Sequence, residues 1–259
     1  MRTNPLWHLW DENRPALNAW LTIPNAWTAE LVAAQGFDAV TIDLQHGLAD
    51  DATALAMLQA ISTTSAAPLV RLPWNEPAAI MRALDTGAWG VICPMVNSRA
   101  EAEAFAGACR YPPRGYRSYG PIRAAVYAGE AYFARANDEV VALALIETAE
   151  GLANAADILA TPGLDGVYIG TVDLSLSLGL AGLGDLDDPV LSEAVEHILT
   201  LARQHGRVAG MHARSAAEAK ELAARGFNLI TVVTDSTALA AAARGALDAA
   251  RDAWRPAWQ

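Results

Sequence analysis

Residues 36–46 read GFDAVTIDLQH, a β-rich apolar run that begins after a glycine and ends in polar residues. Glycine before such a run is typical of the end of a helix, because it adopts the left-handed backbone conformation that stops a helix. The segment therefore predicts a buried strand over Phe37–Leu44, and the polar residues that follow it are candidates for chemistry.

Seven further runs of this kind occur along the chain, separated by helix-like segments rich in Ala, Leu and Glu. Several also follow a glycine, namely Gly87, Gly206 and Gly226. This alternation is typical of βα units around a parallel sheet, and eight strands favour a closed barrel over an open sheet. The predicted strands are Leu17–Ile23, Phe37–Leu44, Pro68–Leu72, Gly90–Met95, Val140–Glu147, Gly166–Gly170, Arg207–Met211 and Asn228–Val233.

The chain length fits one barrel. With 259 residues it is close to the roughly 250 that a complete (β/α)₈ barrel needs, and no polar or Pro/Gly-rich stretch divides it. We therefore predict an α/β fold with a single TIM-barrel domain over residues 1–259. The irregular stretch from Arg110 to Asp138 is either a lid over a substrate or a surface excursion.

Composition excludes several classes of partner. The net charge is -11 and no cluster of Lys or Arg forms a stripe, which argues against binding nucleic acid. We expect no membrane span and no secretory signal, because the apolar window Ala52–Val70 is interrupted by polar residues and Met1–Trp10 has no basic start. Cys93 and Cys109 lie in apolar runs and predict free buried thiols, as in a cytoplasmic protein.

In a barrel the catalytic groups lie where strands end and βα loops begin. Glu147 and Asp173 are about one βα unit apart, so they would project from neighbouring strands into one mouth. Two carboxylates with open positions suit a divalent metal ion, with Mg²⁺ or Mn²⁺ favoured and Co²⁺ or Ni²⁺ as alternatives. The other interpretation is that one of them caps a helix or pairs with arginine.

Two further strand ends carry groups suited to an acid–base reaction. His46 follows the second strand and is a candidate base, with Asp85 as the carboxylate that would orient its ring. Arg71 ends the third strand, where a fixed positive charge would hold a 2-oxo acid and stabilise its enolate. A hydrogen-bonded structural histidine and a structural salt bridge are the alternatives.

The chain has a single lysine, Lys220, in a helical pattern that predicts solvent exposure. Schiff-base aldolases and pyridoxal-phosphate enzymes need a lysine inside the site, so the sequence argues against covalent amine catalysis. An enolate made in this barrel would need a metal ion as its electron sink.

Taken in order along the chain, these motifs resemble the HpcH/HpaI aldolases, a family of metal-dependent class II pyruvate aldolases on a phosphoenolpyruvate/pyruvate-type barrel. The resemblance covers most of the chain. It runs from residues 36–38 (GFD) and 43–47 (DLQHG) through 70–71 (VR), 74–75 (WN), 84–87 (LDTG), 94–96 (PMV) and 110–115 (RYPPRG) to 146–148 (IET) and 170–175 (GTVDLS).

The resemblance implies reversible retro-aldol cleavage of a 4-hydroxy-2-oxo acid to pyruvate or hydroxypyruvate and an aldehyde, in a hexameric assembly. It implies that Glu147 and Asp173 bind the metal and that His46 with Asp85 forms a catalytic dyad. Arg71 would contact the keto oxygen and the enolate. The remaining implied roles are support of metal-bound water by Asp43, support by Gln45, and substrate binding by Thr171, Val172 and Asp173.

This chain departs from the family pattern at Gln45, Leu145 and Thr171, where members often carry Glu, Gln and Pro. These positions would line the rim of the pocket, so they bear on which aldehyde and which oxo acid are used.

Two other functions remain open at the level of sequence. One is a citrate-lyase-β-like CoA-ester lyase or decarboxylase, whose CoA would be bound by the arginines at positions 114, 117 and 123. The other is a metabolite-binding scaffold oligomer without turnover.

Trp254 and Trp258 near the end of the sequence would anchor a terminal helix on a neighbouring subunit.

Overall fold

The computed structural model describes residues 2–254. Eight parallel strands close into a barrel in sequential order, and β8 pairs with β1. This confirms the predicted TIM barrel, and each predicted strand is present within two residues at either end. The strands are β1 (Ala16–Leu21), β2 (Ala39–Asp43), β3 (Ala67–Arg71), β4 (Gly90–Cys93), β5 (Val141–Ile146), β6 (Gly166–Ile169), β7 (Val208–His212) and β8 (Leu229–Thr234).

Helices precede, connect and follow these strands. They are α1 (Pro5–Asp11), α2 (Ala26–Ala33), α3 (Asp51–Ile61), α4 (Pro77–Asp85), α5 (Arg99–Cys109), α6 (Ile122–Ala128), α7 (Tyr132–Glu139), α8 (Ala149–Ala153), α9 (Ala155–Leu159), α10 (Thr171–Ser177), α11 (Pro189–Gln204), α12 (Ala216–Ala224) and α13 (Asp235–Trp254).

The glycines predicted to end helices do so. Gly36, Gly87, Gly206 and Gly226 have φ values of 94°, 104°, 63° and 87°, the left-handed region that glycine enters without steric cost. Each lies between a helix and the strand that follows it. Glycine at these points fixes where each helix turns back into the barrel.

The stretch between α5 and β5 lies at the amino-terminal end of the barrel, opposite the mouth, because α5 leads away from the mouth and β5 returns to it. It contains α6 and α7, and its Arg117 is buried against Tyr132, with 3.1 Å between the guanidinium and the phenol oxygen. The stretch therefore does not cover the mouth of its own barrel, and it is more ordered than the alternative of a solvated excursion.

Several other predictions concern burial and exposure. Cys93 and Cys109 are free and buried, as predicted, and Lys220 is exposed on α12. No helix within residues 2–254 is long and apolar enough to cross a membrane. Helix α13 is exposed along most of its length and ends in an exposed Trp254, whereas Trp258 lies outside the described residues.

We expect Gly166→Ala to destabilise the barrel. A Cβ at this position in β6 would lie 2.1 Å from the Val208 carbonyl oxygen of β7, so the strand pair would have to shift. Overpacking of this kind costs about 1–3 kcal/mol, which thermal denaturation followed by circular dichroism would detect as a lower Tm.

Gly245→Ala is the matched control, because a Cβ there meets nothing within 4 Å on the exposed helix α13. Alanine is the better helix former by about 1 kcal/mol, so this variant should keep or raise the Tm. Equal losses of Tm in the two variants would contradict the packing argument.

Candidate active site

A cavity of about 450 Å³ opens at the carboxyl ends of the strands. This is the end at which TIM barrels place their active sites. Its wall contains most of the site residues that the sequence singled out, together with three large side chains that it did not. They are His46, Arg71, Glu147, Thr171, Val172 and Asp173, joined by Trp20, Tyr168 and His212.

The two predicted metal ligands face this cavity from neighbouring elements. Glu147 directly follows β5 and is 2% exposed, and Asp173 lies in the first turn of α10. Glu147 Oε1 accepts a hydrogen bond from the Met95 backbone N–H at 2.8 Å. Met95 has a φ of 55°, an uncommon conformation for a non-glycine residue, so backbone strain is stored where this N–H is aimed at the carboxylate.

Glycine is required beside this carboxylate. A Cβ on Gly170 would lie 2.7 Å from Glu147 Oε2, so any larger residue would push the carboxylate from its place. Burial, and to a lesser degree the negative charge of Asp173, raise the pKa of Glu147 to about 7, against the Met95 hydrogen bond. A buried carboxylate that a neighbouring acid repels is stabilised by a cation.

The donor set fits a hard divalent ion. Both ligands are carboxylates, and within residues 2–254 no group of three or more His, Cys, Asp or Glu side chains is arranged to hold a metal. Two protein ligands suit an ion that keeps several waters and binds substrate oxygens directly, as Mg²⁺ commonly does. The structure thus brings the predicted pair together, in a setting where a cation relieves their repulsion.

Arg71 is fixed in place by Asp43. The two residues are paired neighbours at the ends of β3 and β2, and Arg71 Nε donates to Asp43 Oδ1 at 2.9 Å while Nη2 donates to Oδ2. Asp43 also accepts the backbone N–H groups of Gln45 and His46 and the Trp20 indole N–H, at 3.0, 3.1 and 3.1 Å. Burial opposes ionisation of Asp43, but Arg71 and these donors hold its pKa below the usual value.

Asp43 positions Arg71 and the turn that follows β2. Its side chain is 1% exposed, and both carboxylate oxygens accept hydrogen bonds from Arg71 and from N–H donors. The predicted support of a metal-bound water by Asp43 stays a prediction.

His46 is exposed at the rim of the cavity, and Gln45 beside it has a buried side-chain oxygen with no hydrogen-bond partner among the described residues. The structure does not bring Asp85 to His46 within one chain. Asp85 ends α4, which starts at the mouth and returns to the opposite end of the barrel, and its Oδ1 accepts from Arg117 Nη2 at 2.7 Å. The pairing of His46 with Asp85 therefore stays a prediction, and it would need Asp85 to come from a second copy of the chain.

Sequence reasoning missed the wall formed by β1, β6 and β7. Trp20 packs edge-on against the His212 ring, with 4.7 Å between centroids, and the Tyr168 hydroxyl lies 2.8 Å from His212 Nδ1. Burial and the nearby charge of Arg71 lower the pKa of His212 to about 4, so the imidazole is neutral at pH 7. The available signal was that His212 immediately follows the predicted strand Arg207–Met211.

Residues 17–242 match the model of the HpcH/HpaI aldolase/citrate lyase family. The chain belongs to this family. It is 44% identical over 242 residues to a hydroxypyruvate/pyruvate aldolase of Rhizorhabdus wittichii, covering 93% of this chain and 96% of that protein. It is 38% identical over 230 residues to a 4-hydroxy-2-oxo-heptane-1,7-dioate aldolase of Salmonella arizonae, covering 88% and 87%.

Solved structures agree with this assignment. A HpcH/HpaI aldolase/citrate lyase family protein from Burkholderia cenocepacia superposes with a TM-score of 0.88 at 32% identity, over 96% of this chain and all of that one. The resemblance stated from the motifs is confirmed, and this member of the family is a carbon–carbon lyase.

We expect Asp43→Asn to lower the stability of the fold markedly. The change leaves the Arg71 guanidinium, whose side chain is 12% exposed, without its counter-charge. Breaking a buried pair on one side costs on the order of 3 kcal/mol, measurable as the free energy of unfolding in urea.

The double variant Asp43→Asn with Arg71→Met is the control, because it removes the unpaired charge as well. It should recover part of the loss, giving a coupling free energy of about 1 kcal/mol or more. Strictly additive losses would show that Asp43 does not hold Arg71 in solution.

Proposed function

We propose that this lyase catalyses reversible retro-aldol cleavage of a 4-hydroxy-2-oxo acid to pyruvate, or hydroxypyruvate, and an aldehyde. The observation that carries the proposal is that the buried Glu147 and the partly exposed Asp173 line the same cavity as the anchored Arg71. The relatives named as aldolases for such substrates support it. A divalent cation bound by the pair would act as the Lewis acid that draws electrons towards the 2-oxo group.

The donor chemistry supports Mg²⁺ or Mn²⁺ as the resident ion, with Co²⁺ or Ni²⁺ as functional substitutes. Carboxylate oxygens are hard ligands, and no thiol or imidazole is among the two side chains proposed to hold the ion. We further propose a cytoplasmic location, which the two buried free thiols fit.

Arg71 would bind and orient the oxo acid and stabilise negative charge on its oxygen. Its Nε–H and one Nη2–H are bonded to Asp43, and no described residue accepts a hydrogen bond from Nη1. The Nη1 hydrogens and the second Nη2 hydrogen are therefore left for substrate oxygens. Because that oxygen gains charge as the C–C bond breaks, a rigidly held donor stabilises the transition state more than the ketone.

His46 would move the proton of the 4-hydroxyl group, since it is the titratable base exposed at the rim of the cavity. In the same proposal, Thr171 and Val172 bind substrate beside Asp173 at the start of α10, all three lining the cavity.

We propose that the dyad partner of His46 is supplied by a second copy of the chain. Asp85 is partly exposed at the far end of the barrel, beside three exposed apolar side chains, Tyr119 (70%), Ile122 (85%) and Val126 (83%). The mouth end also carries exposed apolar residues, Leu48 (81%) and Trp74 (50%). Apolar patches at both ends favour packing of one barrel's far end on another's mouth, in a homo-oligomer for which we propose six copies.

The geometry favours a free oxo acid over a CoA ester. The arginines that would bind CoA lie at the far end of the barrel, where Arg117 is buried, Arg114 pairs with Asp138, and Arg123 bonds the Thr86 carbonyl. None of them lines the cavity at the mouth.

Removal of the metal ion is one test of the proposed function. EDTA-treated enzyme should neither cleave a 4-hydroxy-2-oxo acid nor exchange pyruvate methyl protons into D₂O, and added Mn²⁺ or Mg²⁺ should restore both. Glu147→Gln should lose Mn²⁺ binding in titration calorimetry together with exchange, because an amide has no charge to offer the ion.

Glu150→Gln is the matched control, since Glu150 is exposed three residues further along and should bind Mn²⁺ like the wild type. Full activity in EDTA, or an adduct trapped by borohydride, would overturn the metal mechanism.

Mixing of inactive variants tests the proposed role of Asp85. His46→Ala and Asp85→Ala should each lose most of their turnover as pure proteins. Co-expression of the two should recover part of it, because mixed oligomers contain sites with an intact His46 from one copy and an intact Asp85 from another. Pure Asp85→Ala with near-normal kcat, or co-expressed protein as inactive as its parents, would contradict the proposal.

A further inference from the structure

A continuous chain of hydrogen bonds crosses the interior of the barrel and ends at the cavity. Thr41 Oγ1 donates to Asn18 Oδ1 at 3.0 Å, and Asn18 Nδ2 donates to Thr231 Oγ1 at 2.8 Å. Thr231 Oγ1 lies 2.7 Å from the Tyr168 hydroxyl, which lies 2.8 Å from His212 Nδ1. The first four residues are buried, whereas His212 is partly exposed in the cavity wall.

The bonds of this chain have a preferred direction. If each group donates towards the cavity, the hydroxyl hydrogens of Thr41, Thr231 and Tyr168 are all used. In the opposite direction the Thr41 hydroxyl hydrogen would have no acceptor among the described residues, at a fully buried position. Unpaired buried donors are costly, so the chain runs from Thr41 outwards and Tyr168 donates to His212 Nδ1.

This direction fixes the tautomer of His212. Nδ1 accepts a hydrogen bond, so the single proton of the neutral ring is on Nε2. Burial and the charge of Arg71 hold the pKa of His212 at about 4, which keeps the ring neutral. No described residue accepts a hydrogen bond from Nε2, and the ring lines the cavity. The chain thus presents one neutral N–H donor to whatever occupies the cavity.

The His212 Nε2–H donor lies at the end of a different strand from the groups proposed to bind the oxo acid. The carboxylates follow β5 and β6, and Arg71 ends β3, while His212 ends β7. His212 and Arg71 both contact the Trp20 ring, at 4.7 Å between ring centroids and 5.0 Å from the guanidinium carbon. The donor and the anchored guanidinium are thus both next to the Trp20 ring in the wall of one cavity, which the second reactant would also occupy.

We propose that His212 is a specificity-determining residue whose Nε2–H donates a hydrogen bond to an oxygen on the side chain of the acceptor aldehyde, selecting 2-hydroxyaldehydes over alkyl aldehydes. The proposal rests on the aldolase function proposed above and names a substrate class for it. An alkyl aldehyde would leave the N–H desolvated and unpaired, and a site built to bond a hydroxyl discriminates against analogues that lack it.

Glycolaldehyde and propanal test this directly, because they differ by a hydroxyl in place of a methyl group. With pyruvate as the donor and metal present, the wild type should show the higher kcat/KM for glycolaldehyde. His212→Leu should lower the ratio of the two kcat/KM values roughly fivefold to tenfold, the scale of one neutral hydrogen bond. His212→Gln, which keeps a neutral N–H donor, should retain more of the ratio.

His8→Leu is the matched control, since it makes the same chemical change on the exposed face of α1 and should keep the wild-type ratio. Tyr168→Phe is a second variant that leaves His212 in place and removes the donor to Nδ1. Both tautomers then become accessible, so the ratio should fall by less than in His212→Leu.

Exchange of pyruvate methyl protons separates failure of this inference from failure of the proposed function. A wild type that exchanges while His212→Leu and Tyr168→Phe keep its aldehyde ratio would overturn the assignment of His212 alone. If the variants changed only the preference for hydroxypyruvate over pyruvate, His212 would contact the oxo acid and not the aldehyde, which would also overturn the proposal. A metal-loaded wild type without exchange would overturn the aldolase function and this subsite together.

Discussion

The Asp43 carboxylate is the contact on which the mouth of the barrel depends. It lies at the end of β2, almost fully buried, and it bonds the Arg71 guanidinium, the Trp20 indole and the backbone of the turn that carries His46. One charge therefore sets the positions of an arginine, an aromatic wall and a loop that follow from three different strands. Because several donors converge on one buried carboxylate, displacement of any of them removes a hydrogen bond from a charge that water does not reach.

The pKa values of two buried acids in this mouth, Asp43 and Glu147, are shifted in opposite directions. Asp43 is surrounded by N–H donors and a guanidinium, which lower its pKa. Glu147 is buried with one backbone donor and faces a second acid, which raises its pKa. The first is a permanent anion that holds protein groups, and the second is an anion that needs a cation brought from outside. Two carboxylates thus take different roles, Asp43 holding protein groups and Glu147 suited to a cation, because their neighbours differ.

The sequence was informative wherever chain direction and local pattern were enough. All eight strands follow from apolar runs, several of them preceded by glycine, and the rule that catalytic groups follow strand ends places Glu147, Asp173, Arg71 and His46 in one cavity. The rule does not apply to Asp85, which ends a helix rather than a strand and so lies at the opposite end of its own barrel. A βα barrel separates the two ends of each unit by the length of a strand, and a motif reading along the chain does not carry that separation.

The interior network was out of reach for another reason. In a closed parallel barrel both faces of each strand are buried, so Asn18, Thr41 and Thr231 carry no alternation that marks them as inward-facing. Which of them meet depends on the stagger between strands, set by closure of the whole barrel and not by any local segment. Only after the register is known do the separate polar residues join into a chain.

That chain also explains how a barrel core can tolerate so many polar groups. Interior positions of TIM barrels are commonly filled by branched aliphatic side chains, which have no hydrogen bonds to satisfy. Here each buried hydroxyl and amide is bonded to the next, so its desolvation is offset, and only the last member reaches the cavity. Because the chain begins at the buried Thr41, only its last member, His212, has an N–H left for a group in the cavity. The hydrogen bonds of the barrel interior thereby fix the tautomer of His212. A feature of the cavity wall is thus determined by packed residues beneath the cavity and not by a loop at its mouth.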